Sequence, residues 1–147
     1  MQIIQARGEH VPQLAPLFDA YRQFYRQPSD LAGAAAFLRE RIERNQSVVF
    51  LALLDGTAVG FTQLYPSFSS TSMKRLWILN DLFVVPEARR GGVAQALMER
   101  ARQLALQTSA EGLALETAVD NHNAQELYEE LGWKRDEEFF RYSLRVP

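Results

Sequence analysis

The sequence predicts one α/β domain spanning residues 1–147, in which a mixed central β-sheet carries helices on both faces. Three observations lead to this prediction. A chain of 147 residues is the usual size of one domain and leaves no room for a second. The spacing of apolar residues changes along the chain between the helical period and the strand period. A hairpin signal is followed by one strand–helix–strand unit, so the sheet should contain both antiparallel and parallel pairs.

The first third of the chain is predicted to form a short strand and two helices. Residues 3–6, IIQA, are typical of a strand, and residues 9–27 carry apolar side chains at helical spacing. Pro28 should end this first helix. Ser29 or Asp30 can then cap a second helix, because both side chains accept hydrogen bonds from backbone N–H groups at a helix start.

The middle of the chain has the strand period. Residues 47–66, SVVFLALLDGTAVGFTQLYP, contain two β-rich runs joined by Asp55-Gly56, a pair that favours a tight hairpin turn. After a polar loop, residues 75–85 predict a long third strand. Alternation along this strand places four side chains on one face: Trp77, Leu79, Asp81 and Phe83.

The last third continues with a helix, a strand, a second helix and a final strand. Residues 93–107 place their apolar side chains on one helical face, and residues 113–119, LALETAV, are typical of a strand. Residues 124–131 predict another helix, which Gly132 should end by adopting a left-handed conformation. Residues 138–146 predict the last strand.

Composition and charge exclude several classes of function. The net charge is −2 and the sequence pI is about 5.7, so we expect neither nucleic acid nor an anionic membrane as a partner. The absence of cysteine excludes disulfide scaffolds, thiolate zinc sites and cysteine nucleophiles, and no spacing typical of metal ligands is present. The apolar run 48–54 is too short to span a bilayer, and the N-terminus does not resemble a signal peptide. We therefore expect a cytoplasmic protein.

Residues 82–95, LFVVPEARRGGVAQ, join a predicted strand to a predicted helix through two arginines and two glycines. A helix start offers unpaired backbone N–H groups, and glycine lets an anion approach the main chain. The motifs GxxxxGK[ST] and GxGxxG are both absent, which disfavours a nucleotide-dependent phosphotransferase and a dinucleotide-binding fold. On these residues alone, a plain turn with solvated arginines is the better interpretation.

A second block of residues changes this interpretation. The two blocks, at a matching separation and with a strand between them, resemble the Q/R-x-x-G-x-G/A and N-x-x-A-x-x-L-Y-x-x-x-G-F elements of the GNAT superfamily of N-acetyltransferases. The matching residues are Arg89, Gly92 and Ala94, then Asn121, Ala124, Leu127, Tyr128, Gly132 and Trp133. The predicted order of elements also fits, so the resemblance covers most of the chain and implies a GNAT-like acyltransferase fold.

The resemblance implies acetyl-coenzyme A as the cosubstrate. In the family, the pantetheine arm pairs with the strand before the glycine turn, and the pyrophosphate lies on backbone amides of the turn. The corresponding strand residues are Leu82, Phe83, Val84 and Val85. The corresponding turn residues are Arg89, Arg90, Gly91, Gly92, Val93, Ala94 and Gln95. Asn121 would contact the coenzyme arm, and its alternative role is that of a helix N-cap, for which Asn123 competes.

Tyr128 is the residue to which the resemblance gives the most specific role. In the family, a tyrosine at this position gives a proton to the departing thiolate of coenzyme A. A phenol carries a proton near neutral pH and can donate it. Without the motif, Tyr128 would be interpreted as a core aromatic at helical spacing with Ala124 and Leu131.

The implied reaction also needs a base, because an ammonium ion has no lone pair with which to attack a thioester. Asp81 interrupts an apolar strand, and Glu116 lies within LALETAV on the neighbouring predicted strand. A buried carboxylate is costly unless it is paired or functional. Either acid is a candidate base, and either could equally be a satisfied structural group. A backbone N–H within residues 82–85 is the candidate donor to the oxyanion.

Residues 60–84 look like the matching part of the diamine (polyamine) and thialysine acetyltransferase branch. This chain has Asn80-Asp81 where that branch usually has Glu-Asp. Six aromatic side chains could line an acceptor pocket for a cationic amine: Tyr21, Phe24, Tyr25, Tyr65, Phe68 and Trp77.

These features predict an acetyl-coenzyme A-dependent N-acetyltransferase that acts on a small-molecule primary amine by direct attack, without a metal. The alternative is a coenzyme A-binding module without turnover. Acetyl transfer to any amine in a panel would distinguish the two. The resemblance also predicts a homodimer, since this is the usual state in the family.

Overall fold

The computed structural model describes residues 1–147 and contains one five-stranded sheet. The chain divides into two compact units, Met1–Glu116 and Thr117–Pro147. The first unit contains the sheet and three helices, and the second contains one helix.

The elements follow the predicted order as far as the last helix. They are β1 (Gln2–Gln5), α1 (Val11–Phe24), α2 (Leu31–Glu43), β2 (Val48–Leu54), β3 (Thr57–Ser69), β4 (Lys74–Val84), α3 (Val93–Gln107), β5 (Gly112–Ala114) and α4 (His122–Glu130). A short 3-10 turn at Gly8–His10 precedes α1, and another at Pro86–Ala88 follows β4.

The strands lie in the sheet in chain order, β1-β2-β3-β4-β5. The first four pair antiparallel, and β4 pairs with β5 in parallel. The predicted hairpin turn joins β2 to β3, with positive φ angles of 49° at Asp55 and 80° at Gly56. Positive φ at both central residues is typical of the type I′ turn that suits the twist of two adjacent strands. The predicted mixed sheet is confirmed.

One face of the sheet packs against α1 and α2. Phe61 of β3 and Phe83 of β4 lie in one buried cluster with Leu14 and Phe18 of α1 and Leu38 of α2. Burying a side chain of this size stabilises a fold by ~1.5–3 kcal/mol. The cluster therefore anchors both helices over the strands that carry the candidate site.

The other face of the sheet packs against α3, so the predicted helices on both faces are confirmed. Helix α3 contacts β2, β3 and β4 and buries one side of its surface. The Arg100 guanidinium lies 4.4 Å from the ring centroid of Phe50. The indole nitrogen Nε1 of Trp77 donates to Oγ1 of Thr108, at the end of α3, over 2.9 Å. These contacts place Trp77 on the α3 side of the sheet.

Strand β4 contains an extra residue, Asn80. Leu79 and Asp81 pair with consecutive residues of β3, so three residues of β4 lie opposite two of its neighbour. This bulge reverses the alternation of side chains along the strand. Trp77 and Leu79 face α3, whereas Asp81 and Phe83 face α1 and α2. The prediction that these four side chains share one face is therefore wrong.

Two predicted strands also differ from the structure. Strand β5 spans Gly112–Ala114 and pairs with residues 76–78, so it does not extend over residues 113–119. The pairing stops just before the bulge at Asn80, which bends β4. Residues 138–146 form no strand. A strand needs a hydrogen-bonded partner, and residues 138–146 make no backbone pairing with another segment.

The second unit is organised around α4. Oδ1 of Asn121 accepts a hydrogen bond of 3.3 Å from the backbone N–H of Ala124, so Asn121 and not Asn123 is the N-cap. Gly132 follows the helix with a φ of 93°, as predicted for a residue that ends a helix. The backbone N–H of Trp133 donates to the carbonyl of Tyr128 over 3.0 Å.

Candidate active site

A cavity of about 510 Å³ opens between α1, α2 and the sheet. Its walls combine aromatic rings from the two helices with polar side chains from β3 and β4. The lining residues are Phe18, Tyr21 and Arg22 of α1, Tyr25, Gln27 and Asp30 of the following connection, Gly33, Ala34 and Phe37 of α2, Tyr65 of β3, and Asn80 and Asp81 of β4.

The aromatic wall follows from the helical period of α1. Phe18, Tyr21 and Tyr25 are three and four residues apart, so their rings lie on one side of the helix and its end. The ring centroids of Tyr21 and Tyr25 are 5.0 Å apart in an edge-on arrangement. Phe18 stacks on Phe37 of α2 with centroids 5.8 Å apart. The negative faces of such rings attract cations, so the wall favours a positively charged ligand.

Asp81 lies at the sheet side of the cavity and is 4% exposed. Its Oδ2 accepts a hydrogen bond of 2.8 Å from Nε2 of Gln63, and its Oδ1 accepts one of 3.0 Å from Nδ2 of Asn80. The Tyr21 hydroxyl is a further hydrogen-bond donor to the carboxyl group, and it lies 3.4 Å from the carbonyl oxygen of Asn80. The bulge at Asn80 is what turns Asp81 towards these partners.

Two ionisable groups of the cavity have raised pKa values. Burial raises the pKa of Asp81 above its ordinary value of 3.8, while the hydrogen bonds from Gln63, Tyr21 and Asn80 oppose this shift. Burial, and after it the charge of Asp81, raises the pKa of Tyr65 to about 12. Tyr65 therefore keeps its proton near neutral pH. The Asp81 carboxylate is the stronger proton acceptor because of its shift, which is the property required of a general base.

The glycine turn provides a second candidate binding surface at the start of α3. Gly92 has a φ of 79° and caps the helix without a side-chain hydrogen bond. Arg90 also has a positive φ, 65°, so the chain reverses sharply before Val93. A Cβ atom built on Gly92 would meet nothing within 4 Å. The space beside Gly92 is therefore open, and the first turn of a helix has backbone N–H groups without an intrahelical partner, which can bind an anion.

Arg89 holds the turn against the end of β4. Its Nε donates to the carbonyl oxygen of Val84 over 3.0 Å, and its guanidinium lies 5.9 Å from the ring centroid of Phe83. Gly60 of β3 lets the end of β4 and the start of α3 lie close to β3. A Cβ atom there would lie 2.9 Å from the carbonyl oxygen of Phe83 and 3.2 Å from Cγ1 of Val93. Glycine is therefore needed at position 60 for α3 to start where it does.

The end of β4 has a free lateral edge within the first unit. Pairing with β5 involves only residues 76–78, so residues 79–84 pair with β3 alone. Unpaired backbone N–H and C=O groups on such an edge can bind an extended amide chain. This edge runs from the Asp81 cavity to the glycine turn.

The structure brings together part of the predicted site. Asp81 lies in the cavity wall, and residues 82–85 and 89–95 continue from it to the start of α3. Glu116 lies beyond the end of β5 and is exposed, so the argument that a strand buries it does not hold. Tyr128, which is partly buried, and Asn121 belong to the second unit. The ring of Tyr128 lies 6.2 Å from that of Trp133.

Three of the six predicted pocket aromatics line the cavity: Tyr21, Tyr25 and Tyr65. The other three do not. Phe24 and Phe68 are 61% and 72% exposed, and Trp77 faces α3 because of the bulge in β4.

The sequence predictions missed several residues of the cavity wall, and also Gln63, which contacts Asp81 without lining the cavity. Gln63 is fully buried beside Asp81, and Phe18, Arg22 and Phe37 form much of the helical wall. The sequence does mark Gln63 as unusual, since it is the one amide side chain in the apolar part of its strand. Its position opposite Asp81 follows only from the strand register.

Two kinds of feature are absent from the structure. No group of three or more His, Cys, Asp and Glu side chains could hold a metal ion. None of the helices has the length and apolar character needed to cross a lipid bilayer.

Comparison with known proteins identifies the class. The model of the acetyltransferase (GNAT) family matches residues 14–133, which is most of the chain. The chain therefore belongs to the GNAT family and is an N-acetyltransferase.

Individual relatives support the same assignment. The chain is 50% identical over 147 residues to the uncharacterized N-acetyltransferase YhfO of Bacillus subtilis, with 100% of this chain and 99% of the relative covered. The crystal structure of a probable acetyltransferase is 48% identical and superposes with a TM-score of 0.95 over 100% of this chain and 99% of its own. A more distant relative is the thialysine N-ε-acetyltransferase of Caenorhabditis elegans, 26% identical over 128 residues, 87% of this chain and 79% of the relative.

Proposed function

We propose that this N-acetyltransferase moves the acetyl group of acetyl-coenzyme A to a primary amine bound in the cavity between α1, α2 and the sheet. GNAT acetyltransferases use acetyl-coenzyme A. The observation that carries the proposal is the placement of Asp81. This buried carboxylate has a raised pKa, lies in the cavity wall and stands on the strand that leads to the glycine turn.

The cavity supports a cationic acceptor. Aromatic rings and the carboxylates of Asp81 and Asp30 line it, and both kinds of group attract an ammonium ion. Arg22 is the one cationic side chain of the wall, and its Nη1 donates to the carbonyl of Pro28 over 3.1 Å. We therefore propose a small amine, a polyamine or an amino-acid-like amine as the acceptor.

The chemistry assigns a proton transfer to each end of the reaction. Asp81 takes a proton from the bound ammonium group, so an N–H bond breaks and an O–H bond forms on the carboxylate. Acetyl-coenzyme A, when bound, supplies the thioester carbonyl that the freed amine attacks. A backbone N–H within residues 82–85 donates to the oxygen on which negative charge develops. As the C–N bond forms and the C–S bond breaks, the Tyr128 hydroxyl gives its proton to the departing sulfur, and the second proton that the nitrogen loses on becoming an amide returns to the Tyr128 oxygen directly or through water.

In this proposal the coenzyme binds a surface of the first unit. The edge of β4 at Leu82–Val84, which pairs with β3 alone, suits the amide groups of the pantetheine arm. The start of α3 at Gly92 has no side-chain cap and therefore suits the pyrophosphate, and Arg90 adds positive charge beside it. In this proposal Asn121 contacts the arm in addition to capping α4.

An acetyl-transfer assay tests the function directly. The chain contains no cysteine, so a thiol reagent added to the reaction reports free coenzyme A without a background from the protein. We expect thiol release with at least one primary amine of a panel of diamines, polyamines and amino acids. The acetylated product should be found by mass spectrometry. Tight coenzyme binding with no transfer to any amine would favour the alternative, a coenzyme A-binding module without turnover.

The position of the pyrophosphate is tested by Gly92→Asp. An aspartate there places a side chain and a negative charge at the uncapped helix start, so we expect the dissociation constant of coenzyme A to rise roughly 10- to 100-fold. Gly56→Asp is a matched control, because Gly56 has a φ of 80°, close to that of Gly92, but lies in the β2–β3 turn. Calorimetric titration of both variants compares the same backbone strain at two places. Equal affinities would move the pyrophosphate away from Gly92.

The organisation of the whole protein is also a proposal. We propose that both units belong to one GNAT domain, which the family match over residues 14–133 supports. We further propose a cytoplasmic homodimer, as the habit of the family predicts. Light scattering during size-exclusion chromatography should give about twice the chain mass of 16.8 kDa, and a mass near that of one chain would contradict the dimer.

A further inference from the structure

Gln63 is a fully buried polar side chain that contacts the cavity residue Asp81. It lies in the middle of β3, paired with Val49 of β2 on one side and with Asp81 of β4 on the other, and it is 0% exposed. Its Nε2 donates to Oδ2 of Asp81 over 2.8 Å. Its Oε1 is buried and accepts no hydrogen bond.

This arrangement is costly in a purely structural role. A buried carbonyl oxygen without a donor loses its hydrogen bonds to water and gains nothing in exchange. An apolar side chain of similar size, such as Met, would fill the space without leaving an acceptor unpaired. The unpaired Oε1 therefore requires an explanation, and its position on the side chain that binds Asp81 supplies one.

We propose that Gln63 is a positioning residue that serves Asp81 in both of its protonation states. In the resting state, its amide N–H donates to the carboxylate. Once Asp81 holds the proton taken from the amine, the amide turns by half a revolution about its last torsion. The Gln63 Oε1 then accepts the new O–H of Asp81. This inference rests on the proposed role of Asp81 as the base.

The geometry allows this exchange without rearrangement of the sheet. The oxygen and nitrogen of a carboxamide are nearly equal in size, so the half-turn exchanges an acceptor for a donor at constant volume. After it, Oε1 takes the place of Nε2, 2.8 Å from Oδ2 of Asp81. The proton passes from the ammonium nitrogen to a carboxylate oxygen, and no other bond is made or broken.

Other ionisable groups lie around Asp81 or around its neighbour Tyr65 and have to be kept constant in a test. Tyr21, Arg22, Asp30 and Tyr65 line the same cavity as Asp81, and Arg41 of α2 acts on the charge of Tyr65. Gln63 itself is uncharged, and its partner in β2, Val49, is apolar. Replacing Gln63 therefore changes the hydrogen bonding of Asp81 and leaves these charges in place.

The first test is the pH dependence of kcat/KM in Gln63→Met. Loss of the N–H donor destabilises the carboxylate, so the acidic limb of the profile should move up by about one to two pH units. Gln23→Met is the matched control, because Nε2 of Gln23 donates to Oδ2 of a different aspartate, Asp19, over 3.2 Å. The control should leave the limb in place. A Gln63→Met enzyme with lower activity but an unmoved limb would overturn the proposal.

The second test observes the amide itself. In the full chain, the side-chain ¹⁵N and ¹H signals of Gln63 should titrate with the same midpoint as the acidic limb of kcat/KM. In Asp81→Asn they should not titrate, because the amide introduced at position 81 can donate to Oε1 at every pH. A Gln63 signal that is constant in the wild-type protein, or that still titrates in the variant, would overturn the proposal.

The two tests separate this proposal from the proposed function. If Asp81→Asn retained full turnover, Asp81 would not be the base, and the proposed mechanism would fail on that result alone. The titration of the Gln63 signal would still show whether the amide responds to the proton of Asp81. Conversely, if Asp81→Asn were inactive and the Gln63 signal stayed constant across the titration of the wild-type protein, Asp81 would remain the base and Gln63 would lose its proposed role.

Discussion

The regions around Asp19 and Asp81 differ in how they hold a buried carboxylate. The two residues are 7% and 4% exposed and both belong to the first unit. Asp19 of α1 accepts hydrogen bonds of 2.7 Å from Ser29 Oγ and 2.8 Å from the backbone N–H of Asp30. The hydrogen bond from Ser29, followed by that from Asp30, lowers the pKa of Asp19. Burial raises the pKa of Asp81 in spite of its hydrogen bonds.

The comparison shows that burial alone does not identify a functional acid. Asp19 is supplied with donors by the chain segment that follows its own helix, so its charge is stabilised and the carboxylate holds the connection between α1 and α2 in place. Asp81 faces a cavity, and the loss of water outweighs its hydrogen bonds. A carboxylate that is stable as an anion suits a structural role, whereas one with a raised pKa is suited to take up a proton.

The largest expected effect is that of Asp81→Asn. The amide cannot accept a proton from the amine, so kcat should fall by about 10²- to 10⁴-fold, the usual contribution of general base catalysis. The dissociation constant of coenzyme A should change little, because the glycine turn is untouched. Steady-state acetyl transfer and calorimetric titration measure the two quantities.

Asp19→Asn makes the same chemical change at the other aspartate and serves as the control. We expect it to reduce thermal stability and to raise KM for the amine, because Asp30 forms part of the cavity wall. Its kcat should stay within about tenfold of the wild-type value, since no proton transfer is removed. A loss of kcat as large as that of Asp81→Asn would mean that the two aspartates do not differ in function.

The second expected effect concerns the proton donor that the mechanism requires in addition to the base. Tyr128→Phe removes one hydroxyl and keeps the ring that packs 6.2 Å from that of Trp133. We expect kcat to fall by about 10²-fold while coenzyme binding is preserved, because protonation of the departing sulfur is lost. Rapid-quench measurement of product formation should show the loss in the chemical step. Unchanged turnover would remove Tyr128 from this role and leave Asp81 as the one acid–base residue proposed.

The features that could be predicted from the sequence are those held by neighbouring residues in the chain. The hairpin at Asp55-Gly56, the start of α3 after Gly92 and the end of α4 at Gly132 each depend on local backbone conformation. Glycine and short turn sequences signal such conformations directly. The candidate coenzyme surface could be predicted for the same reason, since it occupies one continuous stretch of the chain.

The features that could not be predicted depend on pairing between distant residues. The prediction that Trp77 and Leu79 share a face of the sheet with Asp81 is wrong because a bulge has no clear signal in a run of strand residues. The hydrogen bond from Ser29 to Asp19 and that from Gln63 to Asp81 join residues that are 10 and 18 positions apart. The first contact is set by the path of the connection that follows α1 and the second by strand register, and periodicity specifies neither.

The smallest expected effect is on stability, and it has opposite signs at the two aspartates. A raised folded-state pKa means that Asp81 contributes most to stability below the ordinary value of 3.8, and that the contribution is lost as the pH rises towards the folded value. The lowered pKa of Asp19 gives a contribution that is complete above 3.8 and is lost as the pH falls below it.

Urea denaturation at a series of pH values should reveal this difference. Between pH 3.8 and the folded pKa of Asp81, the free energy of unfolding should fall less steeply with pH in Asp81→Asn than in the wild-type protein. The difference in slope can reach at most about 1.4 kcal/mol per pH unit for one proton. Asp19→Asn should instead flatten the loss of stability on the acidic side of 3.8. If the slope of the unfolding free energy changed on the same side of pH 3.8 in both variants, the two carboxylates would be held in the same way. Asp81 would then be no better suited than Asp19 to take up a proton.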